Sequence, residues 1–309
     1  MEKKILIAVD GSIYSSQSLE YIALLFADTP DIHFHLMTCI SAGESILPLA
    51  IDDRNSLLPD VPGSGRRKQT AQSYLQKAKD KLVRMGIASE RINSSGEMSG
   101  QDIAGTIQYQ AEHLLMDSVL IGRRGLNTLS EMLLGSVSAT LLKNCHEIPL
   151  WIIDGEVQNK NFLAPIDGSL PSLLAVDHLS HILEGRKDIT IFLFHCHLFL
   201  GKKSEATPEL FYHIWGKEWC DTHLTGENHI FDGPTQILIE AGIPRANIII
   251  LPEVSDLETA HSIIRQAHKQ QCGTIVIGRR GDGTTKGILG GVSARTIKHS
   301  QDIALWVVG

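Results

Sequence analysis

Residues 119–125 read VLIGRRG and residues 275–281 read IVIGRRG, so a nearly identical stretch occurs twice at a separation of 156 residues. The match extends in both directions, to DGS at 10–12 and 167–169 and to VSA at 137–139 and 292–294. The offset between the copies drifts only from 157 to 155, whereas chance matches would scatter. The chain is therefore predicted to be a tandem duplication.

The length of the repeat predicts two domains. The chain has 309 residues, and its period far exceeds the roughly 20–50 residues of solenoid units, so each copy should have its own core. We predict one domain at 1–155 and a second at 156–309, with the polar run at 154–161 as the linker. So short a linker predicts that the halves pack together as a dimer-like pair within one chain. A homodimer of whole chains is a further alternative.

Composition excludes several classes of protein. Hydrophobic residues make up 43% of the chain and charged residues 20%, which is ordinary for a globular protein. A net charge of -7 argues against nucleic acid or an anionic membrane as the partner. The longest mostly apolar stretch, residues 189–200, is too short to span a bilayer, and the N-terminus lacks the apolar core of a secretory signal. With five cysteines and no CxxC spacing, we expect a cytoplasmic protein with reduced thiols.

The pattern of elements indicates an α/β fold. Ile5 to Val9 is a continuous apolar run of strand length, which is typical of a parallel strand buried on both faces. Helix-spaced apolar residues follow from about 14 to 27, and strands and helices continue to alternate. The second copy repeats the pattern, with strands at 162–166, 189–196, 248–251, 274–277 and 305–308. We expect a parallel sheet with helices on both faces in each half, and an irregular segment at about 199–233.

Two features follow predicted strands, where open parallel sheets bind ligands. Asp10 ends the first strand, and GRRG leads from a later strand towards a helix. A glycine-rich loop in this position offers free backbone N–H groups and the positive end of a helix dipole to phosphate. The Walker A sequence and GxGxxG are both absent. The repeated pairing of such a loop with an acidic residue indicates a phosphate-bearing ligand.

These residues resemble the universal stress protein family in its tandem-domain form. The resemblance rests on Asp10 and on the pattern G-x2-G-x9-G-[ST], formed by Gly122, Gly125, Gly135 and Ser136. It implies a five-stranded parallel sheet of order 3-2-1-4-5 in each half. It also implies ATP, with Mg2+, as the ligand. The implied ligand-binding residues are Asp10 at the adenine or ribose end, Cys39 beside the adenine, and Gly122, Arg123, Gly125, Gly135, Ser136, Val137 and Ser138 around the ribose and phosphates.

The second copy departs from this pattern. Its equivalent residues are Asp167, Cys196, Gly278, Gly281, Gly290 and Gly291. Alignment on VSA makes Gly290 the partner of Gly135 and Gly291 the partner of Ser136, so the loop is one residue shorter and one hydroxyl is lost. We therefore expect the first half to be the better nucleotide site.

Each assignment has a plainer structural alternative. Asp10 and Asp167 could merely cap turns, and the arginines of GRRG could be solvated loop residues rather than phosphate clamps. Ser136 and Ser138 could be phosphate donors, autophosphorylation sites or helix caps. His195 and His197 share one face of a strand, as a metal pair would, but no third ligand is evident and no metal is assigned.

The resulting hypothesis is a sensor-like module that binds adenine nucleotide and uses occupancy to set its conformation or its choice of an unknown protein partner. No constellation of nucleophile and base appears, so we expect slow ATP hydrolysis at most. One alternative is a nucleotide-independent scaffold that binds partner proteins. The other is an adenylate-forming enzyme of the related adenine-nucleotide hydrolase type, whose SGGxDS loop is missing from residues 10–14.

Overall fold

A computed structural model describes residues 2–41, 64–99, 102–123, 134–145, 147–198, 207–279 and 291–309. The strands of the first half are β1 (Lys3–Ala8), β2 (Ile32–Ser41), β3 (Ile92–Ser99), β4 (Ser118–Gly122) and β5 (Leu150–Ile153). They alternate with helices α1 (Ile13–Phe26), α2 (Ser64–Arg84), α3 (Ile103–His113) and α4 (Ser136–Asn144).

The second half repeats this series with additions. Its strands are β6 (Asn161–Pro165), β7 (Thr190–Phe194), β8 (Cys196–Leu198), β9 (Ile248–Ile250), β10 (Val254–Asp256), β11 (Thr274–Gly278) and β12 (Ala304–Val308). Its helices are α5 (Leu170–Ile182), α6 (Tyr212–Trp215), α7 (Lys217–His223), α8 (His229–Glu240), α9 (Thr259–Lys269) and α10 (Gly291–His299).

Ten of these strands form a single sheet, in the order β3-β2-β1-β4-β5-β12-β11-β6-β7-β9. The order 3-2-1-4-5 therefore occurs in each half, with parallel neighbours, and the predicted fold class is confirmed. The two halves meet where β5 and β12 pair antiparallel. The domain boundary at 155 stays a prediction, and residues 154–160 pass from β5 to β6 without a regular element.

The apolar run of β1 is explained by helices on both faces of the sheet. Ile5 and Ile7 contribute to one core and Leu6 to the other, since alternate side chains of a strand point to opposite faces. Helices α1, α2, α5 and α8 supply residues to the first core, whereas α3, α4, α9 and α10 supply the second. Both cores contain residues of both halves, so the hydrophobic interior is continuous across the seam.

Two tryptophans form the centre of the seam. Trp151 of β5 and Trp306 of β12 are register partners, fully buried, with parallel rings whose centroids lie 3.8 Å apart. Trp151 Nε1 donates to His178 Nε2 at 3.2 Å, and Trp306 Nε1 donates to the Tyr21 hydroxyl at 2.8 Å. Positions 21 and 178 correspond at the repeat offset of 157, so each indole is bound by the first helix of the opposite half.

The segment at 199–233, expected to be irregular, is helical over its described part. A 3-10 turn at Pro208–Phe211 leads into α6 and α7, and α8 begins at His229. Phe211, Cys220 and Phe231 are buried in the first core. The expectation failed because these apolar residues are spaced over several short helices, which no single periodicity reveals.

The second strand of the second half also differs from the prediction of one strand over 189–196. It divides into β7, which pairs with β9 in the large sheet, and β8, which pairs with β10 in a separate two-stranded sheet. Pro252 lies between β9 and β10. Because proline has no N–H for the ladder, the regular pairing is interrupted there, whereas β3 of the first half runs through eight residues.

The burial of His178 leads to a prediction about how the free energy of unfolding depends on pH. Burial, followed by the nearby His181, lowers the pKa of His178 to about 3, and Asp117 opposes this effect. Below about pH 6.5 the unfolded chain protonates this residue while the folded chain does not. The free energy of unfolding should therefore fall as the pH is lowered from about 6.5 towards 3, at a rate of at most about 1.4 kcal/mol per pH unit from this group.

The matched variant is His178→Gln, whose amide oxygen can accept the Trp151 bond but does not titrate. Urea denaturation of both proteins between pH 4 and 7 should show a shallower pH dependence for the variant. Identical slopes would contradict the assignment of a neutral His178.

Candidate functional site

Asp10 lies just beyond the carboxyl end of β1 and shapes the turn into α1. Its Oδ1 accepts from the Ser12 N–H at 3.0 Å and from the Ser15 hydroxyl at 2.5 Å. Ser12 caps α1 by accepting from the Ser15 N–H at 3.2 Å. The turn-capping alternative for Asp10 is therefore realised, and these bonds hold the carboxylate at the edge of the sheet. Ser15 is not among the residues predicted from the sequence, although the spacing DGSxxS occurs at both 10–15 and 167–172.

Gly11 brings a second unforeseen residue to this turn. Its φ of +80° is in the left-handed region that favours glycine, and a Cβ atom there would lie 2.9 Å from the ring of Tyr74. Tyr74 belongs to α2, so the turn after β1 is covered by an aromatic ring from another element. No local pattern in the sequence indicates this contact.

The end of β4 and the start of α4 lie beside β1. The parallel register pairs Ile7 with Leu120, and if continued it brings Val9 level with Gly122. Ser138 is buried and donates its hydroxyl to the Gly122 carbonyl at 3.0 Å. That hydrogen bond fastens α4 to β4, and it occupies the proton that a phosphate would have accepted. Ser136, by contrast, is exposed at the first position of α4, after the helix cap at Gly135.

The position of Arg123 corrects the expectation that it clamps phosphate. Its side chain is 2% exposed, and the guanidinium donates to the Asp154 carboxylate at 2.8 Å and to main-chain carbonyls of Lys298 and Ser300. The physical reason is that α10 of the opposite half ends beside it, offering carbonyl groups without helical partners. Arg123 therefore joins the two halves instead of pointing to a ligand.

Cys39 lies near the end of β2, half-buried beside the second core. Burial, with a smaller contribution from Glu97, raises the pKa of its thiol to about 11. The thiol therefore stays protonated at neutral pH and can line a pocket but is a poor nucleophile. Val137 packs against the same core.

In the second half the equivalent turn has different hydrogen bonds, and a helix packs closely on the end of β11. Asp167 Oδ1 accepts from the Ser169 N–H at 3.0 Å, but the Ser172 hydroxyl donates to the Ser169 carbonyl instead of the carboxylate. A Cβ atom on Gly278 would lie 2.3 Å from the carbonyl oxygen of Pro171, so the start of α5 packs directly on the end of β11.

The remaining predicted residues of the second half lie in different elements. Gly291 opens α10, and Ser293 repeats the Ser138 contact by donating to the Gly278 carbonyl at 2.8 Å. Cys196 is in β8, outside the large sheet. Gly125, Gly281 and Gly290 lie outside the described residues.

His195 and His197 form a hydrogen-bonded chain in this half. His195 Nδ1 lies 2.6 Å from the Ile166 carbonyl, His195 Nε2 lies 2.9 Å from His197 Nδ1, and His197 Nε2 lies 2.6 Å from Glu253 Oε2. The carbonyl and the carboxylate only accept, so His195 Nδ1 and His197 Nε2 are the donors in their bonds. Burial lowers the pKa of His195. Within the described ranges, no group of three or more His, Cys, Asp or Glu side chains is arranged to hold a metal ion.

A cleft of about 410 Å³ opens at the carboxyl end of β9. Its lining residues are Asn228, Phe231, Asp232, Ile250, Leu251, Pro252 and Glu253. None of these is a predicted site residue, and two carboxylates without a lysine or arginine in this lining disfavour a phosphate. The cleft is therefore distinct from the crevice between β1 and β4.

Residues 1–154 match the model of the Universal stress protein family. Through these residues the chain belongs to the universal stress protein family. The fold of the whole chain is similar to that of a universal stress protein from Archaeoglobus fulgidus, at a TM-score of 0.65 and 18% identity, with 99% of this chain and 95% of that one covered. It is also similar to a functionally unknown protein from Pseudomonas aeruginosa, at a TM-score of 0.59 and 16% identity, with 99% and 92% covered. Among curated proteins none matches this chain.

The different partners of Ser15 and Ser172 in this universal stress protein give a test of the Asp10 turn. Ser15→Ala removes a hydrogen bond to a carboxylate and should lower the free energy of unfolding by about 1–2 kcal/mol, since Asp10 is partly exposed. Ser172→Ala removes a bond to a neutral carbonyl and should cost about 0.5–1 kcal/mol. Urea denaturation at pH 7 measures both. Equal losses would show that the Ser15 hydroxyl does not stabilise the carboxylate.

Proposed function

We propose that the first half of this protein binds an adenine nucleotide, ATP with Mg2+, in the crevice between β1 and β4. The observation that carries the proposal is the meeting of the Asp10 turn, the end of β4 and the start of α4 at one edge of the sheet. This edge lies at the carboxyl ends of β1 and β4, where the strand order reverses, and open α/β sheets bind ligands at such a point.

The start of α4 suits a phosphate. The first N–H groups of a helix have no partner within the helix and carry partial positive charge. Gly135 provides the helix cap without a side chain, and Ser136 is exposed beside it. With the Arg123 guanidinium engaged elsewhere, these N–H groups and Mg2+ are the proposed counterparts of the phosphate charge. Asp10 is the proposed partner of the ribose or adenine, with Cys39 nearby on β2.

We propose a binding module rather than a fast enzyme. The Cys39 thiol remains protonated at neutral pH because of its raised pKa, and the Ser138 hydroxyl is tied to a main-chain carbonyl. Neither side chain is activated as a nucleophile. Nucleotide occupancy would then act by changing conformation or the choice of a protein partner, as in a stress sensor.

The cellular compartment of the protein is part of the same proposal. All five cysteines are free thiols, the state that a reducing compartment maintains, and this supports a cytoplasmic protein. Among the described residues, none of the helices combines the length and apolar composition needed to cross a membrane.

The proposal predicts about one nucleotide per chain. The second half is the weaker site because Pro171 packs on Gly278 and because its loop has one hydroxyl fewer. Isothermal titration with Mg-ATP, together with chromatography of the supernatant from denatured protein, measures the stoichiometry. Two nucleotides per chain would show that the second half binds as well. If the protein shows no binding heat and no nucleotide co-purifies with it, the proposal is contradicted and the nucleotide-independent scaffold is favoured.

Gly135→Val tests the position of the site. The φ of Gly135 is −59°, which valine can adopt without backbone strain, and its side chain would block the approach of phosphate to the backbone. Because Gly135 is buried, circular dichroism must first verify that the variant folds. We expect at least a tenfold weaker Kd, about 1.4 kcal/mol of binding free energy. Gly65→Val is the matched control, since position 65 on α2 has nothing within 4 Å of an added Cβ atom. Unchanged binding by Gly135→Val would mean that the nucleotide lies elsewhere.

A further inference from the structure

Arg123 directly follows the last residue of β4 at the proposed nucleotide site, yet its side chain contacts the other half of the chain. Nη1 donates to Asp154 Oδ2 at 2.8 Å and to the Ser300 carbonyl, and Nη2 donates to the Lys298 carbonyl at 2.9 Å. The side chain is almost completely buried, as is Asp154. So many bonds on one buried guanidinium indicate a fixed position.

Two of the groups that Arg123 contacts, the carbonyls of Lys298 and Ser300, lie at the end of α10. Carbonyl groups in the last turn of a helix have no helical partner and carry partial negative charge, so a guanidinium is a suitable cap. The end of α10 reaches the edge of the first half because the halves join antiparallel at β5 and β12. A helix that begins at the carboxyl edge of the second half therefore ends at the carboxyl edge of the first. Over its nine residues, α10 spans about 13 Å.

The backbone of Arg123 is bound as firmly as its side chain. Its N–H donates to the Ile153 carbonyl at 2.8 Å, and its carbonyl accepts from the Gly135 N–H at 2.9 Å. Gly135 in turn caps α4, since its carbonyl accepts from the Ala139 N–H at 2.8 Å. A single residue thus connects the end of β4, the start of α4 and the end of α10.

We propose that Arg123 is a positioning residue for the nucleotide site of the first half, so that the second half supplies part of that site's framework. This inference rests on the proposed function. The guanidinium, held by α10 and Asp154, fixes the Arg123 carbonyl, and that carbonyl fixes the cap of the helix whose N–H groups face the phosphates.

The second site repeats part of this arrangement, since the Arg279 N–H donates to the Val308 carbonyl at 2.7 Å, but it differs at one position. The pseudo-equivalent of Arg123 is Arg279, which is also buried and lies near Cys145, the residue that follows α4. The position equivalent to Asp154 is Gly309, since Ile153 corresponds to Val308 at an offset of 155. The carboxylate that anchors the guanidinium at the first site is therefore missing from the equivalent position at the second.

Binding of Mg-ATP to the full chain tests the proposal. Arg123→Met combined with Asp154→Asn removes the guanidinium without leaving a buried carboxylate unpaired, and it should weaken the Kd at least tenfold. Arg123→Lys keeps the charge but not the planar fork, and it should weaken the Kd about threefold. If the double variant fails to fold, the lysine variant alone serves as the test.

The matched control is Arg186→Met. Arg186 also joins the halves, donating to the Leu25 carbonyl at 2.7 Å and to the Thr29 hydroxyl at 3.0 Å, but it contacts none of the residues proposed to bind nucleotide. Loss of the Arg186 guanidinium should leave the Kd for Mg-ATP within twofold of the wild-type value. Equal weakening by Arg186→Met and Arg123→Lys would overturn the proposal, because loosening of the interface would then explain both. A Kd within twofold of wild type in a folded Arg123 variant would also overturn it.

Hydrogen exchange without ligand separates this inference from the proposed function. In ligand-free protein the amides of Gly135 and Ala139 should exchange at least fivefold faster in Arg123→Lys than in wild type or Arg186→Met. If wild-type protein does not bind Mg-ATP, the proposed function fails, whereas faster exchange at these amides still supports the framework role of Arg123. Unchanged exchange at both amides would overturn that role.

Discussion

The antiparallel pairing of β5 with β12 joins two parallel five-stranded sheets into one and stacks Trp151 on Trp306 in the core. Buried indole N–H groups need acceptors, and each is bound by the first helix of the opposite half. Separating the halves would therefore expose two of the largest apolar side chains and leave both N–H groups without their partners. Because of this seam, the two halves share a continuous hydrophobic core and are not independent domains joined only by a linker.

The antiparallel orientation of the two halves at this seam determines at which edge of the sheet the carboxyl ends of the strands lie. Since the strands of the two halves run in opposite directions, the carboxyl ends of β1 and β4 and those of β6 and β11 lie at opposite edges of the sheet. Helices that begin at one edge end at the other. This geometry is why the end of α10 meets Arg123, and why a residue of the glycine-rich loop is bound by a helix that belongs to the other copy.

The two copies have diverged at positions that keep the same place in the fold. Tyr21 and His178 both bind an indole, but only His178 can titrate near neutral pH in the unfolded chain. Gly309 replaces Asp154 beside the buried arginine, and Pro252 interrupts the third strand of the second half. Each change alters one contact while the strand order stays the same, because that order depends on the buried apolar pattern of the strands.

The sequence by itself determined the duplication, the alternation of elements and the turn at Asp10. Buried strands need continuous apolar runs, and a left-handed turn favours a glycine such as Gly11, so these features leave a local pattern. The spacing of Ser15 after Asp10 also leaves a local pattern, since it occurs again at 167–172. Only the tertiary structure decided that Arg123 binds Lys298, which is 175 residues away. A contact between distant residues depends on how the two sheets join, and no local periodicity encodes that junction.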